Sequence, residues 1–578
     1  MTGIAPHVLR EYALLADGER GALCGPRGDI AWLCAPGWSD SAVLSSLIGG
    51  TGSYTVSPAG TCVWGGHYEP GGLIWRNRWV TTETAVECRE ALAHPGDPHR
   101  VVLLRRIEAV ERDVRMRVRL DLADGFGRRS LRELRRADDG TWTGRTGDLR
   151  VRWTGAGDAV AGDGGLGFEL TVPAGGRHDL VLELSDRRLP GPPDAGYLWE
   201  ATEHAWHSAV PELENTVAAR DARHSYAVLR GLTTGTGGMV AAATLGLPER
   251  SEAGRNYDYR YVWLRDQCYA GLAASVDEPH PLLDAALRFT TARVLEHGDD
   301  LLPAYRTDGT PPPEETTLRL PGYPGGSDVV GNRVTGQFQL DALGELLQLH
   351  AAAARHDRFG GDVERAAGVV VRLITERWDR PEAGIWELDD EWWTHSRLAC
   401  VAGLRALARE VPAHRGAELS SLADKLLAET TARCLDRRGT WQRSPDRAGT
   451  DAALLLPPVR GALPADDPRT RATLDAVRRE LTEDGYVYRF AQDDRPLGEA
   501  EGAFLLCGFT MALACRHQGD LTEAFRWFER NRAACGPPGL FAEEYDVRQR
   551  QLRGNLPQAF VHAMLLETAQ RLAGPPRQ

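Results

Sequence analysis

No two of the ten cysteines stand in a CxxC pair, so this 578-residue chain offers neither a zinc ribbon nor a thioredoxin-like redox site. Scattered from Cys24 to Cys535, they read as reduced, mostly buried thiols of a cytoplasmic protein. No apolar run reaches the roughly 18 to 20 residues that span a bilayer. The opening MTGIAPHVLREYALLADGER lacks the basic-then-apolar order of a secretory leader. Together these absences predict a cytoplasmic location and no membrane partner. Basic charge is in deficit as well. With 68 Lys and Arg against 81 Asp and Glu, the formal charge is −13, the wrong sign for a general nucleic-acid partner. There is no HExxH, and His395 has no Cys companion, so it reads as a structural hydrogen-bonder rather than a metal ligand. Gly235, Gly237 and Gly238 are followed by no GK[ST], which leaves them to tight turns rather than to phosphate.

What is present is an ordinary globular composition, 42% hydrophobic and 26% charged, in a chain too long for one core. The first third has the period of strands. Val114, Met116, Val118, Leu120 and Leu122 alternate with Arg115, Arg117, Arg119 and Asp121, and Leu180, Leu182 and Leu184 repeat the pattern. Short turns between such segments predict an antiparallel β-sandwich over residues 1–195. Pro190, Pro192 and Pro193 mark a boundary, and 196–225 reads as a helical linker. From 226 to 578 the period is helical. Phe338, Ala342, Leu346 and Leu349 share one helix face, as do Val561, Leu565, Ala569 and Leu572. About a dozen such segments suit a double ring of inner and outer helices, whose loops converge at one end. A solenoid has the same periodicity, but no fixed repeat is visible to favour it.

Several loops carry chemistry. Glu387 in GIWE and Glu543 in AEEYD each stand beside an aromatic residue. Such a pair suits cleavage of a glycosidic bond, which needs one protonated and one ionised carboxyl on opposite sides of the scissile carbon. Trp386, Trp392 and Trp393 are candidates for an apolar wall that keeps Glu387 protonated. In NYDYRYVWLRD, Arg265 and Asp266 form a compact donor–acceptor set for neighbouring hydroxyls, with Trp263 placed to pack on a ring; a helix-capping surface pair is the plainer alternative. Glu501 stands at the entrance of an apolar helix, where the helix dipole alone would favour it and a sugar contact is the functional option. Glu544 follows Glu543 directly, so the two carboxyls cannot face the same way. Asn332 and Asp341 read as a turn cap and a solvent-facing acid, while Gln337 and Gln339 are candidates to reach inward.

Taken in order along nearly the whole chain, these segments resemble glycoside hydrolase family 15, the glucoamylases and related bacterial trehalases. The matching stretches are EYALLADGERGALCGPRGDIAWLCAPGWSDSAVLSSLIGG, GGMVAAATLGLPE, NYDYRYVWLRD, GYPGG with GN and QLDALGE, GIWE with THS, EGAFLLC, and AEEYD with GNLPQAF. The resemblance implies a β-sandwich packed on an (α/α)6 barrel and release of glucose from a non-reducing end with inversion. It implies Glu387 as general acid and Glu543 as general base. Arg265 and Asp266 would grip the terminal glucose, with Trp263 alongside and Trp386, Glu501 and Glu544 as further binding residues. No metal or organic cofactor is needed, and a small carbohydrate is the expected partner. The segment SDVVGN is one residue shorter than in many relatives, Leu388 stands where fungal glucoamylases carry an acid, and Val561 replaces a common serine. These departures bear on which sugar leaves. The expected substrates are maltose- or isomaltose-type glucosides first and trehalose second. A sugar phosphorylase and a non-catalytic sugar-binding protein are the rival classes, and the oligomeric state stays open.

Overall fold

The computed structural model describes residues 5–162, 165–249, 256–492 and 495–574. Up to Ser185 the chain forms two antiparallel sheets of eight strands each. In the first, Ser53–Pro58 pairs with Val114–Asp121, which pairs in turn with Gly165–Val172. In the second, Arg177–Ser185 lies between Leu149–Thr154 and Arg100–Ala109. The period-two pattern explains the layering. Met116, Val118 and Leu120 are buried with Trp75, Leu103 and Leu182 of the facing sheet. Arg115 and Arg117 point out and pair with Glu169 on the neighbouring strand. This is the solvated face that alternating sequence dictates.

After the prolines, helix Ala195–Ala209 crosses from the sandwich, and Ala219–Leu232 packs on the last helix of the chain. Six inner helices follow: Leu264–Ala273, Leu340–Arg355, Thr394–Ala408, Leu456–Val459, Leu505–His517 and Ala559–Ala573. Each packs on the next, and the last returns to the first, so the ring closes. Ala219–Leu232, Pro281–His297, Asp362–Arg377, Ala413–Cys434, Pro468–Glu480 and Leu521–Arg532 form the outer ring. The composition sorts them. Leu505–His517 is apolar on nearly every side, as an inner helix must be, whereas Asp362–Arg377 buries one stripe. Two details differ from the sequence reading. Phe338 precedes its helix, which starts at Leu340, and Asp341 is fully buried rather than solvent-facing.

The sandwich braces the loops at one mouth of the barrel. The Trp32 indole donates to the Ala243 carbonyl at 2.9 Å, and Arg128 donates to the Leu318 carbonyl at 2.8 Å. Arg260, fully buried, reaches the Asp40 carbonyl at 2.8 Å while paired with Asp258 at 2.7 Å. Asp258 also accepts from the Gly331 N–H, so the sandwich, the 256–263 segment and the 331 loop are tied at one point. Gly237, at φ +97°, permits a tight turn where a Cβ would lie 2.5 Å from the Ala285 carbonyl oxygen. Among the described residues no helix is long and apolar enough to cross a membrane, and no cluster of His, Cys, Asp and Glu has the arrangement of a metal site.

Candidate active site

The N-terminal ends of inner helices meet at the braced mouth. Trp263, Gln339 and Gln558 occupy the residue just before three of them. Between them opens a cavity of ≈ 880 Å³ including its mouth, lined by Glu387, Glu543, Trp263, Arg265, Asp266 and Trp386 among others. Residues as far apart in sequence as Ala241 and Phe560 are thus gathered because a closed ring brings its loops together.

Glu387 lies in the loop between Asp362–Arg377 and Thr394–Ala408, with φ +54°. A left-handed glutamate costs about 1–3 kcal/mol and persists only when its surroundings over-determine it. They do so here. The buried carboxylate of Glu382 accepts from the Gly384 N–H at 2.8 Å, the Leu340 N–H at 3.2 Å and Arg397 at 2.9 Å. The Leu388 N–H closes the turn onto the Ala383 carbonyl at 2.9 Å. The Trp386 indole donates to both oxygens of Asp451 at 3.0 Å. The side chain of Glu387 is left 26% exposed, facing the cavity.

The expected tryptophan wall is therefore only partly present. Trp386 lines the cavity, but Trp392 donates to Asp379 at 2.9 Å and Trp393 to the Asp389 carbonyl at 3.2 Å, both behind the loop. What touches Glu387 instead is polar: the Trp263 indole N–H at 2.6 Å and Arg265 Nη2 at 3.5 Å.

Arg265 and Asp266 form the buried floor. The guanidinium donates to Gln339 Oε1 at 3.1 Å and lies 3.4 Å from Asp266 and 3.8 Å from Asp341. Gln339 is itself held, donating to Gln337 at 3.0 Å. Burial pushes the Asp266 carboxyl up to about 6, against the opposing pull of Arg265 and with help from the Glu387 charge. The surface-pair alternative for Arg265 and Asp266 does not describe these two buried groups.

Glu543 ends the loop that enters strand Glu544–Asp546, which pairs with Ala503–Phe504. Successive residues of extended chain face opposite ways. Glu543 lines the cavity and accepts from the Tyr259 hydroxyl at 3.3 Å, while Glu544 turns away to accept from the Gly502 N–H at 2.7 Å. Burial drives the Glu543 carboxyl well above the ordinary range, the nearby Glu249 carboxyl adds to this, and Arg489 opposes it.

Two expected sugar contacts are corrected. Glu544 is fully buried and does not line the cavity, and neither does Glu501. Glu501 grips Arg489 through two hydrogen bonds, one of 3.2 Å, and accepts from Gln492 at 2.5 Å. Arg489 is the group that reaches the cavity, stacked over Phe504 at 4.2 Å and Trp386 at 5.3 Å. His395 is corrected too, since neither ring nitrogen meets a hydrogen-bond partner among the described residues. Sequence reading overlooked Tyr259, Arg489, Glu249 and Gln558, all of which line the cavity. Tyr259 was within sight, inside the aromatic motif that carries Trp263; Arg489 has no local signal.

The chain matches the model of glycosyl hydrolases family 15 over residues 223–570 and that of trehalase-like N-terminal domains over 1–159. It is 28% identical over 630 aligned residues to a trehalase of Mycobacterium tuberculosis, covering 96% of this chain and 88% of that one. It is 31% identical over 291 residues to an isomaltose glucohydrolase of Kribbella flavida, covering 47% of this chain and 69% of that one. Among solved structures, a bacterial glucoamylase complexed with acarbose shares the fold, with a TM-score of 0.70 and 12% identity, over 99% of this chain and 94% of the other. A family model that spans the whole helical ring, on a sandwich-plus-barrel frame, makes this chain a glycoside hydrolase of family 15.

Proposed function

We propose that the protein is an inverting α,α-trehalase. The observation that carries this is the similarity to a trehalase along 96% of the chain, with a trehalase-like N-terminal domain preceding the barrel. It supports the reverse of the order read from the sequence, which put maltose- and isomaltose-type glucosides first.

In this reading one glucose of trehalose sits against the floor, its far hydroxyls held by Arg265 and Asp266 and its ring beside Trp263. Glu387 gives its proton to the glycosidic oxygen as the C1–O bond breaks. Glu543 takes a proton from a water that attacks C1 from the opposite face, and the new C–O bond forms with inversion. Burial raises the hold of Glu543 on a proton, which strengthens it as an acceptor of a proton from water. Arg489 and Trp386, which line the same cavity, would contact the leaving sugar in this reading. A carboxylate base facing the acid across one cavity also supports hydrolysis over phosphorolysis, in which phosphate itself attacks.

Trehalose, isomaltose and maltose incubated without phosphate, with ¹H NMR of the first products, test this reading. Trehalose should give one β-glucose from the attacked ring and one α-glucose from the leaving ring. A higher kcat/KM for isomaltose or maltose would overturn the trehalase assignment. α-Glucose from the attacked ring would overturn inversion, and glucose 1-phosphate among the products when phosphate is added would favour a phosphorylase. Isomaltose is the second reading, supported by the 31% identity to the isomaltose glucohydrolase.

A further inference from the structure

Glu249 is buried and lines the same cavity as Glu543. Its Oε1 lies 3.5 Å from the Tyr259 hydroxyl, whose oxygen is also 3.3 Å from Glu543 Oε2. Gly554 packs against both acids: a Cβ there would lie 3.3 Å from Glu543 Cβ and 3.8 Å from Glu249 Cγ. Gly554 is fixed in turn, its N–H donating to the Pro248 carbonyl at 2.7 Å. The two carboxyls thus flank one phenol and one glycine. A phenol has a single proton to donate, so it serves one of the two acids at a time.

We propose that Glu249 is the second carboxyl of the base centre, a positioning residue that shares the Tyr259 hydroxyl with Glu543 so that the two acids bind protons as a coupled pair. The inference rests on the reading of Glu543 as general base. When both acids are ionised, the two like charges oppose each other across the shared hydroxyl, and each raises the other's hold on a proton. Burial and then the Glu249 charge act on Glu543 in that direction. The Tyr259 phenol is itself driven far up, first by burial and then by Glu543 and Glu249, so it stays a donor. Among the described residues, charged groups facing the pair include Arg489, which lowers Glu543 and is bound by Glu501; Asp266 on the floor and Glu387 on its loop, which raise it; and Glu544 on its own strand.

The test uses the full-length enzyme and α-D-glucopyranosyl fluoride, whose leaving group demands little of the acid and nothing of a leaving-sugar site. The acid limb of its kcat/KM profile reports the base. In the unaltered enzyme that limb should lie above the ordinary glutamate value of about 4.3. Glu249→Gln should move it down by about one pH unit, and Glu249→Asp, which keeps the charge, should leave it within a few tenths. A purely structural role would lower the rate at every pH without moving the limb. An unmoved or upward-moved limb in folded Glu249→Gln overturns the proposal. So does an acid limb at or below 4.3 in the unaltered enzyme, a measurement that stands even where the variant fails to fold. Glu543→Gln separates the two layers. If it still turns over the fluoride, the base assignment is wrong; if it is dead while Glu249→Gln leaves the limb in place, only the coupling is wrong.

Discussion

The indole N–H of Trp263 donates to Oε1 of Glu387 at 2.6 Å across 124 residues of sequence. The contact joins the floor of the cavity to the loop that carries the proposed acid. Tyr259 extends it on the other side, its ring edge-on to Trp263 at 5.6 Å and its hydroxyl on Glu543. Acid and base are thereby referenced to one aromatic segment. Trp263→Phe keeps an aromatic ring but removes the N–H together with the pyrrole half of the indole. An ordinary hydrogen bond contributes about 0.5–1.5 kcal/mol net, so kcat/KM should fall about 2- to 10-fold or more with unchanged circular dichroism. A loss under twofold would show that the contact does not orient Glu387.

Glu387→Gln and Glu543→Gln should each lower turnover of trehalose by about 10²–10⁴-fold or more, the range removed with a general acid or base. Both variants should fold, which size-exclusion chromatography and melting curves would check. Near-normal rates in either would withdraw that residue's role.

Glu543→Gln should also change stability, and the sign follows from burial. A carboxyl raised above its unfolded value folds without penalty while protonated, and that advantage is lost as pH rises through its folded value. The glutamine variant never ionises. Its melting temperature should exceed that of the parent at pH 8, and the difference should shrink as the pH falls toward 5. A lower melting temperature at pH 8 would contradict the account.

Glu501 and Arg489 are both buried and pair with each other. Removing one partner of such a pair strands the other charge and costs about 3–5 kcal/mol. Glu501→Gln should therefore lower the melting temperature by several degrees. It should also weaken substrate binding, because Arg489 is released from its stack on Phe504 and Trp386. Raised KM without any loss of stability would mean that Glu501 touches sugar directly after all.

Glu567 behaves in the opposite sense. Burial would raise its carboxyl, but Arg460 and Arg571, the latter at 2.6 Å, outweigh it and hold the group at about 2. The stability it contributes is present above the unfolded glutamate value of about 4.3 and is lost as pH falls from there toward 2. Glu567→Gln should melt lower than the parent at pH 7 and lose less on acidification. Parallel curves for the two proteins between pH 5 and 2.5 would rule this out.

The amino-acid order by itself determined the frame: strands first, a proline break, then helices numerous enough for a double ring. It also located Glu387, Glu543, Trp263, Arg265 and Asp266, because each stands in a short motif whose residue types are readable in place. Period-two and period-3.6 patterns record which side of an element is apolar, and that is local information. What a buried polar group faces is not local. Asp341 reads as an exposed acid on a helix, yet the helix lies in the inner ring and the carboxyl ends 3.8 Å from Arg265. Trp392 and Trp393 stand close to Glu387 in sequence, but the left-handed turn at Glu387 sends them behind the loop. Glu501 looked like a sugar contact and became the anchor of Arg489, and Glu249 met Glu543 from nearly 300 residues away. Only closure of the ring decided the meeting of Glu249 with Glu543, since the balance of charge and desolvation in the cavity depends on which distant loops share it.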